Sequence, residues 1–287
     1  MTDVFPVVAG TDGSVRAAAA VTQAAEEAVL RDLPLRLVYG FAPLYGYTGL
    51  DPTPPADILQ ACEEVLHAEV DRIRNAFPGL DVSSEVIVSD PAVALVDESK
   101  KASILFVGAR GLGAVRRLLL GSVSTKVATY AKCPVIVVRG QPGDPEGPIV
   151  VGVSPEVGSS EAVEFAFTEA RIRGKAVRVI QSQQHAAANF EYLPETAMRV
   201  MVARRMEDVA QRSAEAFEKI KETYPDVHAT LEVLNVHAVD ALLDAGDEAS
   251  LVVVGKHGGS VLASRLMGSV TQGVLGSAPV VAVVPKE

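Results

Sequence analysis

The chain repeats itself, and that constrains it more than any single residue does. Phe5-Pro6-Val7-Val8-Ala9-Gly10 returns as Gly147-Pro148-Ile149-Val150-Val151-Gly152. At the same offset of 142, Leu35-Arg36-Leu37-Val38 returns as Val177-Arg178-Val179-Ile180. Two later matches share an offset of 147: Ile104–Gly108 with Leu251–Gly255, and Gly121-Ser122-Val123 with Gly268-Ser269-Val270. Four matched segments in one order mark a duplication, so the two halves must share one fold. The join, Gly140-Gln141-Pro142-Gly143-Asp144-Pro145-Glu146-Gly147, is rich in Gly and Pro and reads as a linker. The domains are therefore expected at 1–140 and 148–287.

Within each copy, apolar runs alternate with helical periods. Val7–Gly10, residues 35–39, Ile104–Gly108 and Val135–Val138 are apolar at nearly every position, which suits strands buried on both faces of a parallel sheet. Val82–Val88 alternates, as a less covered strand does. Between the runs, Ala17, Ala20, Val21, Ala24 and Ala28 follow helical spacing before Leu33-Pro34 ends the helix. A second stripe runs Ile58, Cys62, Val65, Glu69, Ile73, Phe77, with Val70 beside Glu69. The other half answers with Met198, Val202, Val209, Phe217 and Ile220. Parallel neighbours need crossover helices, so the pattern predicts two doubly wound, Rossmann-like parallel sheets in tandem, five strands each. Ligands of such sheets sit beyond the carboxyl ends of the strands.

Composition narrows the partners. A formal net charge of −10, with both halves acidic, argues against nucleic acid or an anionic membrane as partner. No run approaches the roughly 18–20 apolar residues of a membrane span, and Met1-Thr2-Asp3-Val4 has neither the basic nor the apolar part of a secretory signal. The two cysteines, Cys62 and Cys133, make no disulfide or zinc framework. A reducing, cytoplasmic setting is expected.

The chemistry lies after the fourth strand of each copy. Gly108-Ala109-Arg110-Gly111, nine residues, then Gly121-Ser122 in the first copy becomes Gly255-Lys256-His257-Gly258, nine residues, then Gly268-Ser269 in the second. Glycine at a strand end lets the backbone turn sharply and lets a ligand approach without a Cβ in the way. The second Gly-Ser pair opens a helical run, where free N–H groups with the Ser122 and Ser124 hydroxyls beside them make an anion site. Arg110 can add charge-assisted bonds to a phosphate chain. The bland alternative is a tight turn and nothing more, but one spacing present twice weakens it. Neither a Walker A loop nor a G-x-G-x-x-G after the first strand is present.

A second signal is Gly10-Thr11-Asp12-Gly13-Ser14 at the end of the first strand. Asp12 can accept hydrogen bonds from a base or ribose, or serve as a helix cap, or do both.

The motifs V-x-G-x-D-x-S (from Val8), G-x-R-G-x-G-x7-G-S-V-S (from Gly108) and C-P-V-x-V-V (from Cys133) together resemble the universal stress protein family, and more narrowly its tandem-domain, ATP-binding branch. The resemblance covers nearly the whole chain. It implies two doubly wound domains packed through their last strands, with ATP, with or without Mg²⁺, held by the glycine loop. Asp12 would meet the adenine and ribose. Gly108, Arg110, Gly111, Gly121, Ser122, Val123 and Ser124 would surround the phosphates, with Gly255, Gly258, Gly268, Ser269 and Val270 as their second-copy counterparts.

The second copy departs from this pattern. Ser154 stands at the position of Asp12, with Pro155 and Glu156 following; His257 answers Arg110, and Ser260 answers Gly113. A neutral His is a weaker phosphate partner than Arg. From Val270 to Pro279 the second copy is two residues shorter than from Val123 to Pro134, so its last helix is expected to be clipped. A weaker or altered second site follows.

The remaining residues are bland. His67, His185, His228 and His237 share no metal spacing, Cys62 and Cys133 read as core or structural, and Arg116 and Arg117 as solvated loop residues that can line a phosphate path. Residues 41–56 and 182–194 read as lids or partner surfaces. Three functions compete. One is an ATP-binding stress-response regulator that signals by occupancy to an unidentified protein partner. Another is a slow ATPase, although only Asp12 supplies a carboxylate near the loop. The last is a dimerisation module with vestigial loops. The duplication offers an internal partner for an exposed last strand, giving an intrachain pseudo-dimer that can pair again as a homodimer.

Overall fold

The computed structural model describes residues 4–42, 56–111, 120–154, 161–183, 195–256 and 267–286. The chain divides into two compact units, Met1–Gly140 and Gln141–Glu287.

The first unit runs β1 (Val7–Gly10), α1 (Val15–Arg31), β2 (Leu35–Phe41), α2 (Ala56–Ala76), β3 (Val82–Val88), α3 (Pro91–Glu98), β4 (Ile104–Gly108), α4 (Ser122–Tyr130) and β5 (Val135–Val138). Its strands lie in the order β3-β2-β1-β4-β5, all parallel. The chain therefore winds outward from β1 in one direction and then in the other. The reversal between β1 and β4 opens a crevice at their carboxyl ends. The second unit repeats this with β6 (Ile149–Val153), α5 (Glu161–Arg173), β7 (Val177–Ser182), α6 (Glu195–Thr223), β8 (Ala229–Leu234), α7 (Ala238–Gly246), β9 (Leu251–Gly255), α8 (Ser269–Ser277) and β10 (Val280–Val284). Its strand order is β8-β7-β6-β9-β10. The doubly wound, five-stranded reading of each copy holds.

Burial follows the sequence pattern. Every residue of β1, β5 and β10 is buried, and so are the first four of β4 and β9. Only a sheet covered on both faces allows this. β3 and β8, each paired on one side within its unit, are partly exposed and keep polar residues among the apolar ones. A cross-strand ion pair ties each to its neighbour: Arg36 with Glu85 in the first unit, and Arg178 with Glu232 at 2.8 Å in the second. Arg36 also reaches Glu98 at 2.7 Å.

Two expectations are corrected. The buried stripe of α2 is Cys62, Leu66, Val70 and Ile73, whereas Val65 is 38% exposed and packs over Gly13, and Glu69 pairs with Arg72. Spacings of four, four and three keep that stripe on one face, which a start at Ile58 had drawn off-centre. Nor is the last helix of the second copy clipped: α4 and α8 each have nine residues. The missing residues come from the connection. Residues 131–134 separate α4 from β5, but only Ala278 and Pro279 separate α8 from β10. In α6 the described part of the expected stripe is sound, with Val209 and Ile220 buried and Phe217 partly so. The side chains of Met198 and Val202 lie outside the described residues.

Candidate functional site

The turn after β1 is built by short side chains. Thr11 extends the ladder by donating its N–H to the Val38 carbonyl at 3.0 Å. The Gly13 N–H then donates to Thr11 Oγ1 at 3.2 Å, and the Ser14 N–H to Asp12 Oδ1 at 3.1 Å. Gly13 has φ +75°, a left-handed conformation that glycine adopts without strain. Ser14 is the helix cap, accepting from the Ala17 N–H at 3.2 Å. Asp12 thus shapes the turn with one oxygen and leaves the capping of α1 to Ser14.

The other oxygen of Asp12 faces the end of β4. A Cβ built on Gly111 would overlap Asp12 Oδ2, so only glycine fits at 111 while Asp12 holds its place. The topological reversal accounts for the meeting: β1 and β4 are neighbours, and the loops leaving their carboxyl ends share one crevice.

The glycine loop leaves and returns at fixed points. The Ala109 N–H donates to the Val138 carbonyl at 2.7 Å, and the Gly121 N–H to the Ala109 carbonyl at 2.7 Å. Ser124, 3% exposed, donates its hydroxyl to the Gly108 carbonyl at 2.6 Å, which ties the first turn of α4 to the end of β4. Ser124 was expected only as a ligand contact, and its proton is used here by the scaffold. At the start of α4 the cap is Gly121, which makes no side-chain cap hydrogen bond. α1, α3 and α7 are capped instead by Ser14, Asp90 and His237. The amides of Ser122, Val123 and Ser124 therefore open a helix with positive polarity and no capping side chain among the described residues.

Two arginines follow neighbouring strands at this edge, and their charges act on each other. Arg110 follows β4 and Arg139 follows β5. The Arg110 Nε is buried and has no hydrogen-bond partner among the described residues. Burial, and then the charge of Arg110, lowers the pKa of Arg139. Arg139 was missed in the sequence. Its signal was a basic residue immediately after the last strand, which in a parallel sheet falls on the same edge as the other strand ends. On the Asp12 side stands Tyr39, whose phenol is pushed up by burial, then by neighbouring Cys62 and Asp12.

In the second unit the scaffold recurs while the chemistry changes. Lys256 N–H donates to Val284 O at 2.9 Å, Gly268 N–H to Lys256 O at 3.2 Å, and Thr271 Oγ1 to Gly255 O at 2.8 Å. Gly268 caps α8 with no side chain, and Ser269 and Val270 open that helix. By the same register Pro285 answers Arg139, Ser154 answers Asp12 and Gln181 answers Tyr39. Gly113, Arg116, Arg117, Pro155, Glu156, His185, His257, Gly258 and Ser260 lie outside the described residues, as does most of 41–56 and 182–194.

The model of the universal stress protein family matches this chain twice, over residues 5–139 and 147–285. The chain belongs to the universal stress protein family. Among its relatives, a universal stress protein of Mycolicibacterium smegmatis is 32% identical over 300 residues, covering 98% of both chains. Universal stress protein Rv2005c of Mycobacterium tuberculosis is 30% identical, covering 98% of this chain and 97% of its own. A universal stress protein of Archaeoglobus fulgidus has the same fold over the full length of both chains, with a TM-score of 0.68 at 19% identity. The tandem arrangement is thus a property of this universal stress protein's full-length relatives as well.

Among the described residues no helix is long and apolar enough to cross a membrane, and no group of three or more His, Cys, Asp and Glu side chains is placed to hold a metal ion. Of the histidines, His67 and His228 are exposed, and His237 caps α7 by accepting from the Val239 N–H at 3.3 Å. Cys62 and Cys133 are buried and free.

Proposed function

We propose that the first unit binds ATP at the carboxyl ends of β1 and β4, and that the protein is a stress-response regulator read by occupancy rather than by turnover. The observation that carries this is the pairing of opposite chemistries across one crevice. Asp12, an acceptor for ribose and base donors, sits against Gly111, while Arg110, Arg139 and the uncapped start of α4 gather positive charge on the other side. A buried guanidinium nitrogen without an acceptor among the described residues, with the charge of a second guanidinium acting on it, is costly until an anion arrives. A polyphosphate neutralises both and takes the open amides as well. Any Mg²⁺ arrives on the phosphates, with Asp12 as the carboxylate at hand among the described residues. Among these residues no second group stands to orient water, so slow turnover at most is expected. In the second unit, residues 148–287, the same frame without Asp12, Arg110 and Arg139 gives a weaker or altered phosphate site.

The test is to precipitate the purified chain, identify released nucleotide by mass spectrometry, and titrate the emptied protein with ATP and Mg²⁺. About one ATP per chain supports the reading. No nucleotide and no binding would sink it. ADP formation abolished by Arg110→Ala would make the protein an ATPase instead.

A further inference from the structure

The second unit holds a polar side chain that its surroundings leave unanswered. Gln181 is fully buried on β7, and among the described residues neither its Oε1 nor its Nε2 has a hydrogen-bond partner. It lines a partly open cavity of about 40 Å³ between the sheet and the helices α5 and α6. Val153, Val179 and Phe217 supply apolar walls, and Ser154 and Ser213 join Gln181 as polar members. Val153 and Gln181 lie at the carboxyl ends of β6 and β7, where ligands of this architecture enter. The first unit differs at this point: Tyr39, at the register position of Gln181, carries a phenol with Cys62 as a neighbour.

A buried carboxamide offers one acceptor and one pair of donors in a plane, and buried polar groups are seldom left unpaired. The group that answers both at once is another planar donor–acceptor edge, as when Gln reads the edge of adenine. A carboxylate or phosphate would satisfy the donors and repel the carbonyl. The cavity is also too small for a whole ring, so a ligand inserts an edge and leaves its body outside. We propose that the second unit binds a neutral ligand through an amide-like edge held by Gln181, either a nucleobase without its phosphates or a small aromatic amide. Only the choice of a nucleobase as one source rests on the nucleotide reading above.

The experiment uses the full-length chain with Asp12→Ala and Gly111→Ala to silence the first unit. Adenosine and nicotinamide are each titrated calorimetrically into this chain with and without Gln181→Leu. Binding of either probe at one per chain, weakened about tenfold by Gln181→Leu, supports the proposal. Adenosine alone identifies a nucleobase site, and nicotinamide a site for free amides. No binding of either, or equal binding to the Leu variant, overturns it and leaves the cavity to water. Gln181→Leu removes an unpaired amide, so a thermal melt at or above the parent's confirms that the variant folds. In parallel, ATP is titrated into the wild-type chain. Loss of ATP binding there with Gln181-dependent probe binding intact rejects the first-unit reading alone.

Discussion

The hydroxyl of Ser124 donates to the carbonyl of Gly108 at 2.6 Å, and Thr271 makes the corresponding bond to Gly255 at 2.8 Å, both across sixteen residues. Each donor side chain is buried, and its bond joins the start of a helix to the end of the strand before the glycine loop. Ser124→Ala is therefore expected to cost about 1 kcal/mol, because it leaves a part-buried carbonyl short of a donor. Ser124→Thr should restore most of the loss, since the second unit uses threonine there. Urea denaturation of the three chains checks this, and an alanine variant as stable as the parent would refute it.

Gly111→Ala drives a methyl into Asp12 Oδ2. Gly111 is exposed and Asp12 partly so, and the expected loss is therefore of ligand affinity more than of stability. ATP affinity should fall tenfold or more, about 1.4 kcal/mol at the least, with a small change in the melting temperature. Calorimetry and thermal melts on the same samples separate the two, and unchanged affinity would mean that Asp12 takes no part.

Arg139 tests the charge argument. Burial and the charge of Arg110 lower its pKa, a shift that a nearby anion would oppose. Arg139→Gln should weaken ATP binding about tenfold. The salt dependence of ATP binding should also become shallower, because fewer charges meet the phosphates. An ATP affinity that falls as steeply with added salt as in the parent would place Arg139 outside the site.

Cys133 sets an alkaline limit. Burial pushes its thiol up from 9.0 to about 12. Below pH 9 the folded and unfolded chains both keep the proton, and the thiol contributes no pH dependence. Between about pH 9 and 12 only the unfolded chain gives it up, so stability falls as pH rises, by up to about 1.4 kcal/mol per unit. Cys133→Ala should flatten this part of the curve relative to the parent. Parallel slopes from pH 9 to 11 would show that the thiol ionises equally in both states.

The sequence revealed the strands almost to the residue, because a doubly covered parallel strand has no polar positions to blur its ends. The glycine frame was legible for a similar reason: the spacing was present twice. What escaped notice were residues whose role depends on a neighbour distant in the chain. Arg139 gains meaning only from Arg110 across β4 and β5. Gln181 carries no signal in the sequence, since only its burial leaves the amide without partners among the described residues. Ser124 was assigned to a ligand because its tie to Gly108 has no local signature. The α2 stripe slipped for a different reason, since helical spacing alone does not say which of two adjacent residues, Val65 or Leu66, faces the sheet.

The hydroxyl tie after each fourth strand has an evolutionary consequence. It joins the strand end to the helix start without drawing on Asp12, Arg110 or Arg139, so a duplicate can replace all three and keep the two ends of the glycine segment in place. One copy is free to drift toward a new ligand while inheriting anchor points that are already set.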